Sequence, residues 1–271
     1  MIVDYHMHLR DTHGDIEHSV EAVERFVETA AARGVDEIGF TEHVYYFRQT
    51  AEVWAVRYQT ERCRFDLDVY CSAVLEARRR GLPVKLGLEV DYVGARQGRL
   101  SELLDPYPWD YLLGSVHWIG EQALDLRPGM WEDASVDEVW RRYVDAFVEL
   151  ARSGAVDVLA HPDLPKIFGS RPDPPVLADL HEEMAEAIAA SGTALEISTA
   201  GLRKPVGELY PDPGLLAACS RRGVGITLAS DAHEPQLVGE DFALALKAAY
   251  EAGYETVTVL DGRRARQEPL G

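Results

Sequence analysis

The chain has 271 residues, of which 46% are apolar and 27% charged, a balance typical of a soluble globular protein with room for one barrel or two small domains. No run of about 18 uncharged apolar residues occurs, and the first residues lack the basic start and apolar core of a secretory signal, which argues against a membrane span or export. The formal net charge of -19 repels polyanions and disfavours nucleic acid as a partner.

Strand and helix patterns alternate along the chain. A strand over residues 2–5 precedes a helix over 17–33 and a strand over 37–40. An aperiodic aromatic stretch over 44–60, predicted to be a loop or lid, leads to a helix over 62–80 and strands over 84–90 and 111–116. A helix over 136–152, capped by Ser135, precedes a strand over 156–160, a proline-rich loop to 175 and a helix over 176–190. Strands over 194–197 and 224–229, a helix over 237–251 and a final strand or edge piece over 256–260 complete the chain.

This alternation favours an α/β fold with a parallel sheet and right-handed crossovers. Seven strong strand patterns and no break in composition predict a single domain over residues 1–271. A closed or nearly closed barrel is the preferred arrangement. A doubly wound open sheet is the alternative, because periodicity does not separate the two. In a barrel, all carboxyl ends of the strands lie on one face, which carries the chemistry.

The ends of the predicted strands are rich in histidine. Seven of the nine histidines follow predicted strands: His6, His8, His13, His43, His117, His161 and His233. His6 and His8 are two residues apart, a spacing that places both side chains on one face of a strand and suits zinc, iron or manganese. Glu89 and Asp231 follow apolar strands, where a metal or a buried ion pair would compensate the carboxylates. His18 and His181 lie on predicted helices and are expected to face solvent.

The ordered set of motifs resembles the polymerase and histidinol phosphatase superfamily, as far as about Leu237. The residues that carry the resemblance are His6-x-His8, His13, Thr41-Glu42-His43, Gly87-Leu88-Glu89, Ser115-Val116-His117, His161-Pro162 and Ser230-Asp231-Ala232-His233. The segments over 198–205 and 207–211 resemble the histidinol-phosphate phosphatase branch. The resemblance implies a distorted (β/α)7 barrel with a trinuclear metal site at the carboxyl ends of the strands, holding three divalent ions (Zn, Fe or Mn).

The resemblance also implies which residues bind each ion. The first ion would be held by His6, His8, Glu89 and Asp231. Glu89 would bridge to a second ion, completed by His117 and His161. The third would be held by His13, His43 and His233. The spacing from His8 to His13 is shorter than in many family members, which leaves His18 or Asp11 as substitutes for His13. Arg203 corresponds to the family's arginine in the loop after the sixth strand.

The function that the resemblance implies is a histidinol-phosphatase, which hydrolyses L-histidinol phosphate to L-histidinol and phosphate in histidine biosynthesis. We expect in-line attack on phosphorus by a metal-bridging hydroxide, since metals lower the pKa of bound water to about 7 and offset phosphoryl charge. The residues predicted to be catalytic are Glu89, Asp231, His233 and Arg203. Arg203 would clamp the phosphoryl oxygens with its planar guanidinium, and Lys166 and Lys204 are further predicted substrate-binding residues.

Three alternatives stay open at this point. The substrate could be another small phosphate ester, such as a nucleotide or sugar phosphate, or the protein could be a non-catalytic metal-binding regulator. An amidohydrolase would also begin with His-x-His, but needs a metal-bridging lysine, for which only Lys85 and Lys166 lie on strand-side segments. The expected partners are a small phosphate ester, no nucleic acid and no membrane, with the chain a monomer or homodimer. Three scattered cysteines, Cys63, Cys71 and Cys219, predict reduced thiols in the cytoplasm.

Overall fold

A computed structural model describes residues 1–11, 13–127 and 133–271 of the chain. Its strands are β1 Val3–Asp4, β2 Glu37–Phe40, β3 Val84–Asp91, β4 Tyr111–Ser115, β5 Trp118–Ile119, β6 Gln122–Ala123, β7 Val158–Leu159, β8 Ala194–Ser198, β9 Ile226–Ala229, β10 Thr256–Asp261 and β11 Arg264–Pro269. Its α-helices are α1 Val20–Ala32, α2 Arg57–Thr60, α3 Leu67–Arg79, α4 Gln97–Leu104, α5 Val136–Arg152, α6 Pro174–Ser191, α7 Pro213–Arg221 and α8 Phe242–Glu251.

Seven strands form one parallel sheet in the order β1-β2-β3-β4-β7-β8-β9. The two ends of this sheet meet. The Tyr5 N–H donates to the Leu228 carbonyl oxygen at 3.0 Å, and Met7 forms a parallel bridge with Ala232. The sheet is therefore a nearly closed barrel surrounded by helices, which confirms the predicted fold, and the open-sheet alternative is wrong.

The helices cover the barrel with apolar faces, and their starts follow the available caps. Ser135 caps α5 as predicted, accepting a hydrogen bond from the Glu138 N–H at 3.2 Å. Helices α1 and α3 begin later than predicted, because the side chains that cap them are Ser19 and Asp66. None of the helices in the described ranges is long and apolar enough to cross a membrane.

Several elements were not predicted. The sequence prediction lacks helices α4 and α7, the hairpin β5–β6 and strand β11. Strand β10, which pairs with β11, matches the predicted final strand or edge piece. Asp212 followed by Pro213 is a helix-start signal that would have located α7. The stretch over 44–60, predicted to be a loop, contains two 3₁₀ helices, Val44–Tyr46 and Arg48–Val53, and α2.

Candidate active site

Eight of the nine predicted metal-binding residues meet at the carboxyl ends of the barrel strands. They form four overlapping groups whose ligand atoms lie within 4.8 Å of one another: His8 with His43 and His233, His6 with Glu89 and His161, His6 with His8 and Asp231, and His43 with Glu89 and His117. Parallel strands bring these residues together from positions more than two hundred residues apart, as the barrel prediction required.

Glu89, near the end of β3, lies at the centre of this cluster. Its Oε2 is 2.5 Å from His43 Nδ1, and its Oε1 is 3.1 Å from His161 Nε2. The same Oε1 lies 3.4 Å from His6 Nε2 and 3.5 Å from His117 Nε2. One buried carboxylate thus contacts histidines that follow four different strands.

Burial and the attraction between carboxylates and imidazoles set the charge states of the cluster. Burial alone would raise the pKa of Glu89, but the surrounding histidines, His43 first, hold that pKa well below its usual value. Burial lowers the pKa of His233 to about 3 and also lowers the pKa of His43. Burial opposes protonation of His6, His8 and His117, but neighbouring carboxylates outweigh it and raise their pKa values, that of His117 to about 10. These imidazoles therefore favour the protonated form where no cation is bound, and a metal ion would replace those protons because it binds neutral imidazole.

The cluster fits divalent ions by the chemistry of its donors. Within the described ranges, the buried Nε2 atoms of His6 and His8 have no hydrogen-bond partner. A buried polar atom without a partner costs about 1–3 kcal/mol, so protein contacts alone do not offset the burial of these two nitrogens. Imidazole nitrogens combined with carboxylate oxygens suit zinc, iron and manganese.

A cavity of about 210 Å³ opens from the cluster. Five residues of the cluster line it: His43, Glu89, His117, Asp231 and His233. The remaining lining residues are mostly aromatic or charged: Tyr45, Tyr46, Tyr58, Trp118, Asp125, Leu126 and Lys204. The cavity therefore combines metal-binding side chains with aromatic rings, a carboxylate and an ammonium group.

Comparison with known proteins places this arrangement in a family. The PHP domain family model matches residues 4–200. The chain belongs to the PHP domain family. A relative from Deinococcus radiodurans, named a probable histidinol-phosphatase, is 33% identical over 246 residues, covering 89% of this chain and 91% of the relative. The histidinol-phosphatase of Lactococcus lactis is 25% identical over 239 residues, covering 85% of this chain and 84% of the relative.

Two solved structures share the fold of this PHP domain. Histidinol phosphate phosphatase from Lactococcus lactis, in complex with zinc, L-histidinol and phosphate, has a TM-score of 0.75 at 23% identity and covers 98% of each chain. A putative histidinol phosphatase from Listeria monocytogenes has a TM-score of 0.72 at 19% identity, covering 89% of this chain and 99% of its own. These likenesses support the barrel fold.

The structure of this PHP domain does not bring His13 to the cluster. The His13 side chain is exposed, and its backbone N–H donates to the Asp11 carboxylate at 2.7 Å in a turn. Asp11 is engaged in the same turn, and the His18 Nε2 lies 3.7 Å from Glu42 Oε1, so neither substitute joins a described group. The ring that lies beside His233 is that of His8, with the two ring centroids 4.2 Å apart.

Two histidines expected at the surface lie elsewhere. His18 precedes α1 instead of lying on it, and its side chain is only 4% exposed. His181 does lie on α6, but it is buried, with Nδ1 4.0 Å from Asp212 Oδ1. Both predictions of a solvated histidine were wrong, because tertiary contacts cover positions that a local pattern leaves open.

The predicted cationic residues have three different surroundings. Lys166 is fully buried, with its Nζ 3.0 Å from Asp163 Oδ2 and 2.7 Å from the Leu209 carbonyl oxygen, so protein atoms engage its ammonium group and this geometry gives the predicted substrate contact no support. Arg203 donates to the Ser230 carbonyl oxygen and lies 3.3 Å from Glu240 Oε2, so it supports the strand end that carries Asp231. Lys204 is exposed and lines the cavity.

The lysines that an amidohydrolase would use are committed to other contacts. The Lys85 Nζ lies 2.9 Å from Asp261 Oδ1, and Lys166 is paired with Asp163. That alternative therefore lacks the metal-bridging lysine that it required.

Three buried residues that support the cluster escaped the sequence prediction. Glu196 Oε2 lies 2.8 Å from His6 Nδ1, and Asp91 Oδ1 lies 2.9 Å from His117 Nδ1. The Ser115 hydroxyl donates to Glu89 Oε1 at 2.5 Å. Glu196 lies inside the apolar strand β8, whereas Asp91 and Ser115 are the last residues of β3 and β4. A polar residue within or at the end of a buried strand was the available signal.

Proposed function

We propose that the chain is a histidinol-phosphatase, a metal-dependent phosphoric monoester hydrolase that converts L-histidinol phosphate to L-histidinol and phosphate in histidine biosynthesis. The observation that carries this proposal is the eight-residue histidine and carboxylate cluster opening into a cavity with aromatic and acidic walls. The names of the relatives from Deinococcus radiodurans and Lactococcus lactis support it, and so does the Lactococcus lactis structure with zinc, L-histidinol and phosphate.

The four ligand groups support a centre of three divalent ions, with zinc the first candidate and iron or manganese the alternatives. His6, His8 and Asp231 would hold one ion, while Glu89 would take part in a second with His117 and His161. His43 and His233 would contribute to the third, and His8, which has one lone pair, would serve the first ion and not take the place predicted for His13. When bound, such ions lower the pKa of coordinated water to about 7 and offset the charge of the phosphoryl oxygens.

The cavity residues would orient the substrate. Lys204 supplies an exposed ammonium group on the cavity wall that Asp231 and His233 also line, where it would donate to a phosphoryl oxygen. Arg203 would act through the loop at Ser230, holding Asp231 in place, in contrast to the clamp expected from the sequence.

The other end of L-histidinol phosphate carries an imidazole ring and an ammonium group. The rings of Tyr45, Tyr58 and Trp118 would pack against the imidazole, since aromatic side chains provide flat apolar surface with favourable ring contacts. The half-buried Asp125 carboxylate would accept from the ammonium group in a charge-assisted hydrogen bond.

The experiment that tests this proposal is phosphate release by zinc-reconstituted protein from L-histidinol phosphate, a nucleotide, a sugar phosphate and p-nitrophenyl phosphate. We expect L-histidinol phosphate to lead by at least about 100-fold in kcat/KM, which corresponds to about 2.7 kcal/mol of transition-state preference. Protein treated with a chelator is the control and should release no phosphate. A lead for another ester would overturn the substrate assignment, and no hydrolysis with zinc bound would favour a regulatory protein.

Location and assembly stay predictions. The three cysteines are free, which agrees with the cytoplasmic location that we propose. Size-exclusion chromatography with light scattering would decide between a monomer and a homodimer.

A further inference from the structure

Glu196 contacts two histidines of the cluster at once. It lies on β8, and its side chain is buried. One carboxylate oxygen, Oε2, is 2.8 Å from His6 Nδ1, and the other, Oε1, accepts a hydrogen bond from the His161 backbone N–H at 2.9 Å. Those two histidines belong to the same ligand group, together with Glu89. A single residue outside that group therefore touches both of its histidines.

The contact with His6 determines which nitrogen faces the cluster. An ionised carboxylate only accepts hydrogen bonds, so the Nδ1 of His6 carries the proton in this contact. The other ring nitrogen, Nε2, faces the cluster, 3.4 Å from Glu89 Oε1 and 3.6 Å from Asp231 Oδ1. It would present its lone pair to a bound ion, because metals bind neutral imidazole. Hydrogen bonds of this kind to the second ring nitrogen fix the orientation and tautomer of metal-binding histidines.

The contact with His161 stabilises an unusual backbone conformation. His161 has a φ of 21°, in a region that residues other than glycine rarely adopt. Such a conformation costs about 1–3 kcal/mol and persists only where the surroundings enforce it. The hydrogen bond from its N–H to Glu196 is one such constraint, and the resulting orientation places His161 Nε2 3.1 Å from Glu89 Oε1.

We propose that Glu196 is a positioning residue that prepares the group of His6, Glu89 and His161 to bind a divalent ion. One oxygen fixes the His6 tautomer, and the other fixes the His161 backbone. The inference rests on the metal centre under the proposed function but not on the identity of the substrate, so zinc binding tests it without any phosphoester.

Glu196→Gln is the informative variant, because glutamine has the same shape. If its amide oxygen accepts from the His161 N–H, its NH₂ group faces His6 Nδ1. That nitrogen must then accept, which moves the ring proton to Nε2 and blocks coordination. We expect at least one zinc ion to bind about 10–100-fold more weakly in chelator competition.

Asp157→Asn is the matched control, with circular dichroism to verify that both variants fold. Asp157 precedes β7 at the opposite end of the barrel, where its carboxylate accepts from the Leu112 N–H at 2.7 Å and pairs with Arg263 at 2.9 Å. Its zinc affinity should match that of the wild type. Wild-type zinc affinity in folded Glu196→Gln would overturn the positioning role.

A second measurement uses the wild-type protein and stays decisive if Glu196→Gln does not fold. Nitrogen-15 NMR of the zinc-loaded protein should show His6 with a protonated Nδ1 and a coordinated Nε2, with the signals assigned by their loss in His6→Gln. Coordination through Nδ1 would overturn the inference. A wild-type protein that binds no zinc would overturn the proposed function itself, and this inference with it.

Discussion

Replacing Lys166 with methionine tests whether this lysine stabilises the barrel or binds substrate. Lys166 is fully buried, and its Nζ lies 3.0 Å from Asp163 Oδ2 and donates to the Leu209 carbonyl oxygen at 2.7 Å. Methionine keeps a long apolar side chain but removes the charge, which leaves Asp163 buried without a cation. We expect a large decrease in the free energy of unfolding and an almost unchanged KM.

The structure sets the magnitude of this decrease. At 3.0 Å and an effective dielectric constant of about 20, the two charges attract by roughly 5.5 kcal/mol. Removal of one partner from a buried pair typically costs about 3–5 kcal/mol, because the remaining charge stays desolvated. Burial already raises the pKa of Asp163 to about 6 with Lys166 in place, so the isolated carboxylate is poorly tolerated. We therefore expect a loss of about 3–5 kcal/mol in the free energy of unfolding.

The assay is unfolding in guanidinium chloride, paired with steady-state hydrolysis of L-histidinol phosphate by the zinc-loaded protein. Lys204→Met is the matched control. It removes an exposed lysine from the cavity wall and should change stability by less than about 0.5 kcal/mol, while kcat/KM falls by about tenfold or more. The double variant Asp163→Asn with Lys166→Met should regain part of the lost stability. Wild-type stability of Lys166→Met with a KM raised tenfold would refute this reasoning and make Lys166 a substrate contact.

Three further predictions concern the cavity, the metal centre and the thiols. Asp125→Asn should lower kcat/KM for L-histidinol phosphate by about tenfold but not for p-nitrophenyl phosphate, which has no ammonium group; equal kinetic losses for both would contradict the contact. Removal of the metal by a chelator should lower the melting temperature measured by calorimetry, since zinc at 100 times its Kd adds about 2.7 kcal/mol for each site; an unchanged Tm would count against a metal centre. Burial raises the pKa of Cys71 and of Cys219 to about 12, so roughly one thiol in ten thousand is ionised at pH 8. Iodoacetamide followed by peptide mass mapping should modify half-buried Cys63 first, and rapid labelling of folded Cys219 would contradict the burial.

The sequence by itself determined the seven parallel strands and most of the cluster. Alternating strand and helix patterns predicted seven parallel strands, and a parallel barrel places every carboxyl end on the same face. Strand-end residues such as His6, Glu89, His161 and Asp231 therefore had to converge, whatever the details of packing. These inferences succeed because strand periodicity is visible in the local sequence, and because parallel topology places all carboxyl ends on one face whatever the exact distances.

Tertiary structure decided which polar residues lie in the cluster, which form buried ion pairs and which face solvent. Only barrel closure shows that His8, and not His13, lies beside His43 and His233. Lys166 looks like an ordinary lysine in the sequence, but folding buries it against Asp163. Whether a polar side chain reaches a ligand, a partner or solvent depends on burial and on contacts between distant segments. No local pattern records those contacts.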